Sequence, residues 1–229
     1  MLFCLVYQMG KTVIKIKERI LKILNLLQKL YPNAQTELCF RNPYELLVAV
    51  VLSAQCTDKR VNKVTSTFFP QFPDFQSLAA ASEDEIFHII KSISYPNNKA
   101  RHLKKAATMI VEEFHGELPK DTDKLQKLPG VGRKTAHVLA SVLWKQPKLA
   151  VDTHVFRVSA RLGMTKGAKT PLQAEMQLTK YIPPDMIADA HHWLILHGRY
   201  ICLARKPKCN QCGLVDLCVW YLKNKQHFQ

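Results

Sequence analysis

The sequence predicts an all-α protein. Apolar residues recur at helical spacing along most of the chain, and prolines, glycines and capping residues fall where helices would begin or end. Signals for strands are nearly absent, and there is no internal repeat, heptad run or low-complexity stretch. We expect about ten helices with short connections, which is an all-α fold class.

The first two helices are predicted from an apolar face and from a cap. Apolar residues share one face over residues 16–30, and Pro32 ends that helix. Asn42, Pro43 and Glu45 then provide an N-cap, a first-turn proline and an acid at the third position. The second helix is therefore expected to run as far as residue 54.

Two further helices are predicted on either side of Pro96. Ser82 and Glu85 form a capping box before an isoleucine-rich face, and Pro96 is expected to end that helix. Asn98 is the expected N-cap of the next helix, which should stop at Gly116.

The last predicted helices follow the same signals. Thr170, Pro171 and Gln173 predict a helix start. An apolar segment over residues 185–197 predicts another helix that ends at Gly198.

Composition points to a polyanionic partner. The 229 residues are 47% hydrophobic and carry 33 Lys and Arg against 18 Asp and Glu, a net charge of +15. Such an excess favours nucleic acid first and an anionic membrane second, while a merely soluble basic surface is the simpler alternative. No apolar run reaches the roughly 18 residues of a spanning helix.

The first residues do not resemble a secretion signal. The segment from Met1 to Met9 is apolar but lacks a cationic head and a small-residue cleavage site. Met9 is an alternative start, and we expect a cytoplasmic protein associated with the nucleoid.

Four cysteines form the most informative pattern, with a spacing of C-x6-C-x2-C-x5-C. Thiolate cages of this kind hold zinc or an iron–sulfur cluster. Structural zinc sites usually present two close pairs, and only one is present here, so the spacing favours a [4Fe–4S] cluster. Disulfides are a further alternative, although nothing indicates secretion. The four residues are Cys202, Cys209, Cys212 and Cys218.

A tight turn between two helices is predicted at Gly130 and Gly132, within the string from Leu128 to Ala136. We expect both glycines to allow positive φ and a close approach of the backbone. The N–H groups of the turn, Arg133 and the positive end of the following helix would then bind a phosphate without reading base sequence. A purely structural turn between helices is the alternative.

Two residues are candidates for chemistry at a sugar carbon. Lys134 lies in the first turn after the hairpin, where the helix dipole disfavours its charged form and so favours a nucleophilic amine. A simple phosphate contact is the alternative. Asp152 is predicted to cap the next helix as an anion, which could stabilise oxocarbenium-like charge or could be a cap and nothing more.

Four strings, in order along nearly the whole chain, resemble the endonuclease III family of helix-hairpin-helix DNA glycosylases. They are Leu52 to Asp58, Leu128 to Ala136, Val151 to His154, and His191 to Tyr200 leading into the cysteines. The resemblance implies a bifunctional DNA glycosylase and AP lyase that acts on oxidised or ring-saturated pyrimidines in double-stranded DNA, or on AP sites, as a monomer.

The resemblance also implies roles and an architecture. Lys134 would be the nucleophile, Asp152 the essential carboxylate and Gln55 the side chain that fills the gap left by a flipped nucleotide. The four cysteines would hold the cluster. The fold would be a helix-hairpin-helix glycosylase fold, with a six-helix domain over residues 36–146 beside a cluster domain built from residues 1–35 and 147–229, and DNA would bind in the cleft between them.

Basic and aromatic residues extend the expected DNA contacts. Lys99 and neighbouring cations would continue the phosphate footprint, and Lys206 would lie on a loop pinned by the cluster. Ser94, Tyr95 and Pro96 occupy a loop where the family more often has glycine and an intercalating wedge, and Tyr95 could stack into the duplex.

Two other functions compete with this interpretation. A monofunctional adenine glycosylase of the same superfamily would lack the hairpin lysine, whereas Lys134 is present. A DNA-binding module with a structural metal would explain the charge, the hairpin and the cysteines, but it would leave the pairing of Lys134 with Asp152 as coincidence.

Overall fold

The computed structural model describes the backbone of residues 2–227 and the side chains of residues 14–226. All regular structure in that part of the chain is helical, which confirms the predicted fold class. The expectations about Met1 and Met9 concern side chains that lie outside the described residues. Cα packing divides the chain into two compact units, Thr36–Lys148 and a second unit made of Met1–Gln35 with Leu149–Gln229.

The unit Thr36–Lys148 contains seven helices, two of them only six residues long, where the resemblance implied six. Its core surrounds the almost wholly buried helix α2, and aromatic residues fill one end of it. The helices are α2 (Pro43–Ser53), α3 (Asp58–Gln71), α4 (Phe75–Ala80), α5 (Glu83–Ile90), α6 (Pro96–Phe114), α7 (Thr122–Lys127) and α8 (Arg133–Trp144).

The second unit is assembled from both parts of the chain that flank the first. Ile20, Ile23, Leu24 and Leu27 of the first helix are fully buried among apolar side chains that come after residue 148. Its helices are α1 (Leu2–Leu30), α9 (Thr153–Leu162), α10 (Pro171–Tyr181), α11 (Ile187–Tyr200) and α12 (Val219–Asn224), with short 3₁₀ turns between α10 and α12.

One arginine joins the two parts of this unit. The guanidinium of Arg19 in α1 donates to the carbonyls of Leu162, Gly163 and Leu217, at 3.1 Å to Gly163 and 2.6 Å to Leu217. Gly163 ends α9 with φ +69°, and an added Cβ there would lie 2.6 Å from Val219. The end of α9 is therefore built for close packing.

Several predicted helix boundaries are confirmed. The Asn42 side chain accepts from the backbone N–H of Glu45, and Ser82 and Glu85 form the expected capping box. Thr170 caps α10 by accepting from Gln173. In each case a short polar side chain satisfies an N–H group that the helix itself leaves unpaired.

Three boundaries differ from prediction. Helix α5 already ends at Ile90, so Pro96 does not end it as expected. Pro96 instead begins α6, so the N-cap is Tyr95 and not Asn98. Proline suits a first helical turn because its missing N–H would have no partner there. Helix α11 continues through Gly198 to Tyr200, so this glycine does not end the helix as predicted. An added Cβ at Gly198 would lie 2.8 Å from the His154 Cβ, so glycine is needed there for close packing.

Candidate functional site

The predicted hairpin joins α7 to α8. Leu128 ends α7, and its carbonyl accepts from the N–H of Val131 at 3.0 Å, which closes the turn. Gly130 has φ +81°, and an added Cβ would lie 3.0 Å from the Cβ of His102. Glycine is thus required at this position both by its backbone conformation and by its packing.

Gly132 has a different role from the one predicted. It is the N-cap of α8 with φ −81°, a conformation open to any residue, so the expected positive φ is wrong for this glycine. Nothing lies within 4 Å of where its Cβ would be. Gly132 therefore leaves the start of α8 open to the close approach of a ligand.

Lys134 lies in the first turn of α8, and its side chain is exposed. The first N–H groups of any helix lack partners within that helix, and the helix dipole makes that end attractive to anions. Arg133 beside it is also exposed. The hairpin, two cations and the helix start together form a surface suited to backbone phosphate.

Asp152 belongs to the other unit and caps α9. Its carboxylate oxygen accepts from the N–H of Val155 at 2.7 Å, and its backbone is extended, as an N-cap requires. The predicted cap is therefore confirmed. The side chain is half-buried, so part of the carboxylate remains accessible.

Gln55 and Tyr95 share an unusual geometry within the unit Thr36–Lys148. Both have left-handed backbones, with φ +55° and +56°, which few residues other than glycine adopt. Both side chains are exposed, Tyr95 by 61%. The hydroxyl of Ser94 donates to the carbonyl of Gln55 at 2.7 Å and so links the two loops.

Lys99 does not have the partner predicted for it. The residue is only 6% exposed, and its ammonium donates to the carbonyls of Leu52 and Ala54 at 2.8 and 2.6 Å. Burial lowers the pKa of this ammonium. Because both carbonyls hold it beneath the surface, the expected contact between Lys99 and DNA phosphate is wrong.

All four cysteines of the predicted cluster line one cavity in the second unit. Cys218 is buried and the other three are half-buried. Among the described residues no group of His, Cys, Asp or Glu is arranged around a single metal ion. Four thiols around one cavity fit the donor chemistry of an iron–sulfur cluster, which spreads its ligands over several irons.

The thiols influence one another across this cavity. Burial, with smaller contributions from the neighbouring Cys202, Cys218 and Cys209, raises the pKa of Cys212 to about 11, although a hydrogen bond from the backbone of Leu214 acts in the opposite direction. Cysteine binds iron as the thiolate, so binding of a cluster here would require the thiols to release their protons.

A histidine and a tyrosine lie behind this cavity, and neither is assigned a role in the sequence analysis. The Nε2 of His197 lies 3.5 Å from the sulfur of Cys212, and its Nδ1 lies 3.1 Å from the hydroxyl of Tyr31. Burial lowers the pKa of His197 to about 4, so the ring is neutral at neutral pH. With Cys212 as a thiolate acceptor, Nε2 carries the proton and Tyr31 donates to Nδ1.

Two arginines of α9 hold the loop that begins at Cys202. Arg157 donates to the Cys202 carbonyl at 3.1 Å. Arg161 donates to the carbonyls of Leu203 and Ala204 at 2.7 and 3.0 Å and lies over the ring of Trp220. The spacing of four residues between Arg157 and Arg161 predicts that both lie on one face of the helix. It does not show which backbone carbonyls they bind.

The loop held by these arginines carries the predicted Lys206. This residue is exposed and has φ +51°. Arg205 and Lys208 on the same loop are exposed as well. The cations between Cys202 and Cys209 are thus displayed on a loop whose ends lie at the cluster cavity.

The hairpin, the exposed lysine and the four-cysteine cavity define a class of protein. Residues 48–184 match the model of the HhH-GPD superfamily of base excision DNA repair proteins, and residues 202–218 match the iron–sulfur binding domain of endonuclease III. The chain belongs to the endonuclease III family, and it is a DNA glycosylase and AP lyase of base excision repair with a [4Fe–4S] cluster.

Relatives and solved structures agree with this assignment. Endonuclease III of Escherichia coli strain K12 is 44% identical over 202 residues, which cover 88% of this chain and 95% of that protein. Endonuclease III of Bacillus subtilis strain 168 is 47% identical over 82% of this chain and 86% of its own length. A trapped covalent endonuclease III–DNA intermediate superposes with a TM-score of 0.86 at 45% identity, over 91% of this chain and 98% of that one.

Proposed function

We propose that the protein removes oxidised or ring-saturated pyrimidines from double-stranded DNA by Schiff-base chemistry at Lys134. The observation that carries the proposal is the placement of an exposed amine in the first turn of α8, directly after an open hairpin. A phosphate bound at that helix start would bring a neighbouring sugar within reach of the amine.

The proposed reaction begins with base removal. Damage weakens stacking, so extruding the damaged nucleotide costs less than extruding an intact one. Unprotonated Lys134 attacks C1′, the nitrogen–carbon bond forms, and the bond from C1′ to the base breaks with its electrons leaving on the base. The ring then opens at the C1′–O4′ bond and leaves an imine between Lys134 and the sugar.

The imine explains how the strand is cut. It acidifies the proton on C2′, and loss of that proton breaks the C3′–O bond, whose electrons leave with the 3′ phosphate. This β-elimination cuts the strand 3′ to the AP site, and hydrolysis of the imine frees Lys134. We assign Asp152 the stabilisation of positive charge on the sugar as the base departs.

The proposal assigns positioning and binding to the remaining residues. Gln55 and Tyr95 enter the duplex, Gly130, Gly132 and Arg133 bind phosphate, and Lys206 contacts the backbone from the cluster loop. The cluster, held by Cys202, Cys209, Cys212 and Cys218, supplies a fixed support for that loop.

We infer that the protein acts as a monomer in the cytoplasm, at the nucleoid. No helix of the described chain is long and apolar enough to span a membrane.

Borohydride trapping tests the proposed chemistry. The protein is incubated with a duplex that contains one thymine glycol or one abasic site, and borohydride then reduces any imine to a stable amine. A covalent protein–DNA band supports the Schiff-base lyase. Tight binding by cluster-loaded protein without a band on either substrate would contradict it and leave a monofunctional glycosylase or a binding module.

The two hairpin glycines should respond differently to alanine. Gly130→Ala is expected to lower the free energy of unfolding by about 1–2 kcal/mol, because φ is positive and His102 is close. Gly132→Ala should fold normally but weaken DNA binding, since its methyl group occupies the space a phosphate would approach. Chemical denaturation and titration with duplex DNA measure the two effects, and equal changes in both variants would contradict these roles.

Loss of one cluster ligand should remove the cluster. Cys212→Ser is expected to lose the visible absorbance, iron and sulfide of the protein, and to weaken DNA binding on the order of tenfold as the Lys206 loop loses its support. Cys39→Ser is the matched control, because Cys39 is an exposed free thiol of the other unit. Full iron content in the Cys212 variant would rule out its role as a ligand.

A further inference from the structure

The carbonyls at the end of α2 are held by a buried lysine. A helix leaves its last carbonyls without partners inside the helix. The Lys99 ammonium donates at 2.8 Å to Leu52, the penultimate residue of α2, and at 2.6 Å to Ala54, its C-cap. Ala54 immediately precedes Gln55, so the ammonium fixes the peptide that leads into the left-handed turn.

The same lysine also contacts the second left-handed residue. Its backbone N–H donates to the carbonyl of Tyr95 at 3.1 Å, in the first turn of α6. Ser94 completes the connection with its hydrogen bond to the Gln55 carbonyl. Lys99 and Ser94 thus tie together the two loops that carry Gln55 and Tyr95.

The buried ammonium of Lys99 and the left-handed backbones of Gln55 and Tyr95 are both energetically unfavourable. Packing of the apolar core does not by itself require either of them. A buried charge is unfavourable unless it is fully hydrogen-bonded, and burial lowers the pKa of this ammonium. Left-handed backbones at two residues other than glycine add strain, which persists only where the surroundings impose it. Strain of this kind concentrates at functional sites, and both residues display exposed side chains.

We propose that Lys99 is a positioning residue which, together with Ser94, holds Gln55 and Tyr95 in one preformed arrangement for entry into damaged duplex DNA. The inference rests on the proposed function, and it adds how the two side chains that enter the DNA are held in position before binding. Two loops ordered before binding lose less conformational freedom when they enter the duplex.

Comparing two substrates tests this role. Removal of a thymine glycol from duplex DNA requires Gln55 and Tyr95 to enter the double helix. An abasic site in single-stranded DNA has no base pair to open, so their entry is not needed there. Lys99→Met keeps the aliphatic stem and removes the donors, and it is expected to lower the ratio of duplex to single-strand rates about tenfold or more. Ser94→Ala should lower the same ratio roughly fivefold, because it removes one neutral hydrogen bond. Lys63→Met, at an exposed lysine of the same unit, controls for the loss of one charge.

A double-mutant cycle shows whether Lys99 acts through Gln55. If it does, Lys99→Met should add little to the loss already caused by Gln55→Ala. Cluster absorbance and thermal unfolding establish whether each variant is folded. If the Lys99→Met protein does not fold, the ratio measured for Ser94→Ala tests the inference instead.

Three outcomes would overturn the inference. One is an unchanged ratio in folded Lys99→Met and Ser94→Ala, and another is a ratio that falls equally in the Lys63 control. The third is full additivity with Gln55→Ala. A wild-type protein inactive on both substrates would instead defeat the proposed function, and the inference with it, since no duplex lesion would then be processed.

Discussion

Lys134→Ala is expected to abolish both the borohydride-trapped complex and strand cutting. An alanine side chain has no amine to form the imine, and removing a catalytic nucleophile typically costs at least about a thousandfold in rate. Binding to undamaged duplex should weaken far less, because the hairpin, Arg133 and the start of α8 remain. Gel analysis of trapped complexes and of cut strands measures the first effect, and a binding titration measures the second.

Lys127→Ala is the matched control for this experiment. Lys127 is an exposed lysine in the last turn of α7, so the variant removes a similar charge from the other side of the hairpin. It should keep the trapped complex. A trapped complex of normal yield in the Lys134 variant would show that another amine is the nucleophile, and comparable losses in both variants would point to a general effect of charge.

Asp152→Asn should separate the charge of this residue from its role as a cap. Asparagine caps a helix about as well as aspartate, so the bond to the N–H of Val155 and the stability of α9 should be retained. The negative charge is lost, and we expect base removal to slow by about a hundredfold to a thousandfold. Single-turnover release of the damaged base measures this step.

Asp152→Ala gives the complementary result. It removes both the charge and the cap, so it should be as inactive as the asparagine variant and less stable by about 1 kcal/mol. Thermal unfolding of the two variants measures that difference. Normal base release by a stable Asp152→Asn protein would leave Asp152 as a helix cap without a catalytic role.

Local chemistry explains why so much of the fold was predictable. Asn42, Ser82, Asp152 and Thr170 each accept from an N–H group three residues further along, so their capping roles can be read from neighbouring letters. The spacing of the cysteines is similarly local, and the [4Fe–4S] prediction was confirmed. The prediction at Pro96 was wrong because proline disfavours a helix interior but suits a first helical turn, and here it starts α6 after α5 has already ended at Ile90.

What the sequence could not predict depends on partners that are distant along the chain. The sequence predicts Lys99 as one of several surface cations, but its partners are carbonyls 45 and 47 residues away. Arg161 likewise reaches carbonyls more than forty residues away. Backbone carbonyls are the same at every residue, so no letter of the sequence marks the one a cation will bind.

The contact between Arg19 and Leu217 has a consequence for biosynthesis. The two residues are 198 positions apart, so a ribosome that adds about 5–20 residues per second makes the second about 10–40 seconds after the first. Until residue 149 has been made, the apolar face of α1 has none of its later partners, while residues 36–148 can already fold as a unit. A nascent chain should therefore need chaperone protection at its first helix, and iron–sulfur assembly must wait until Cys218 has been made.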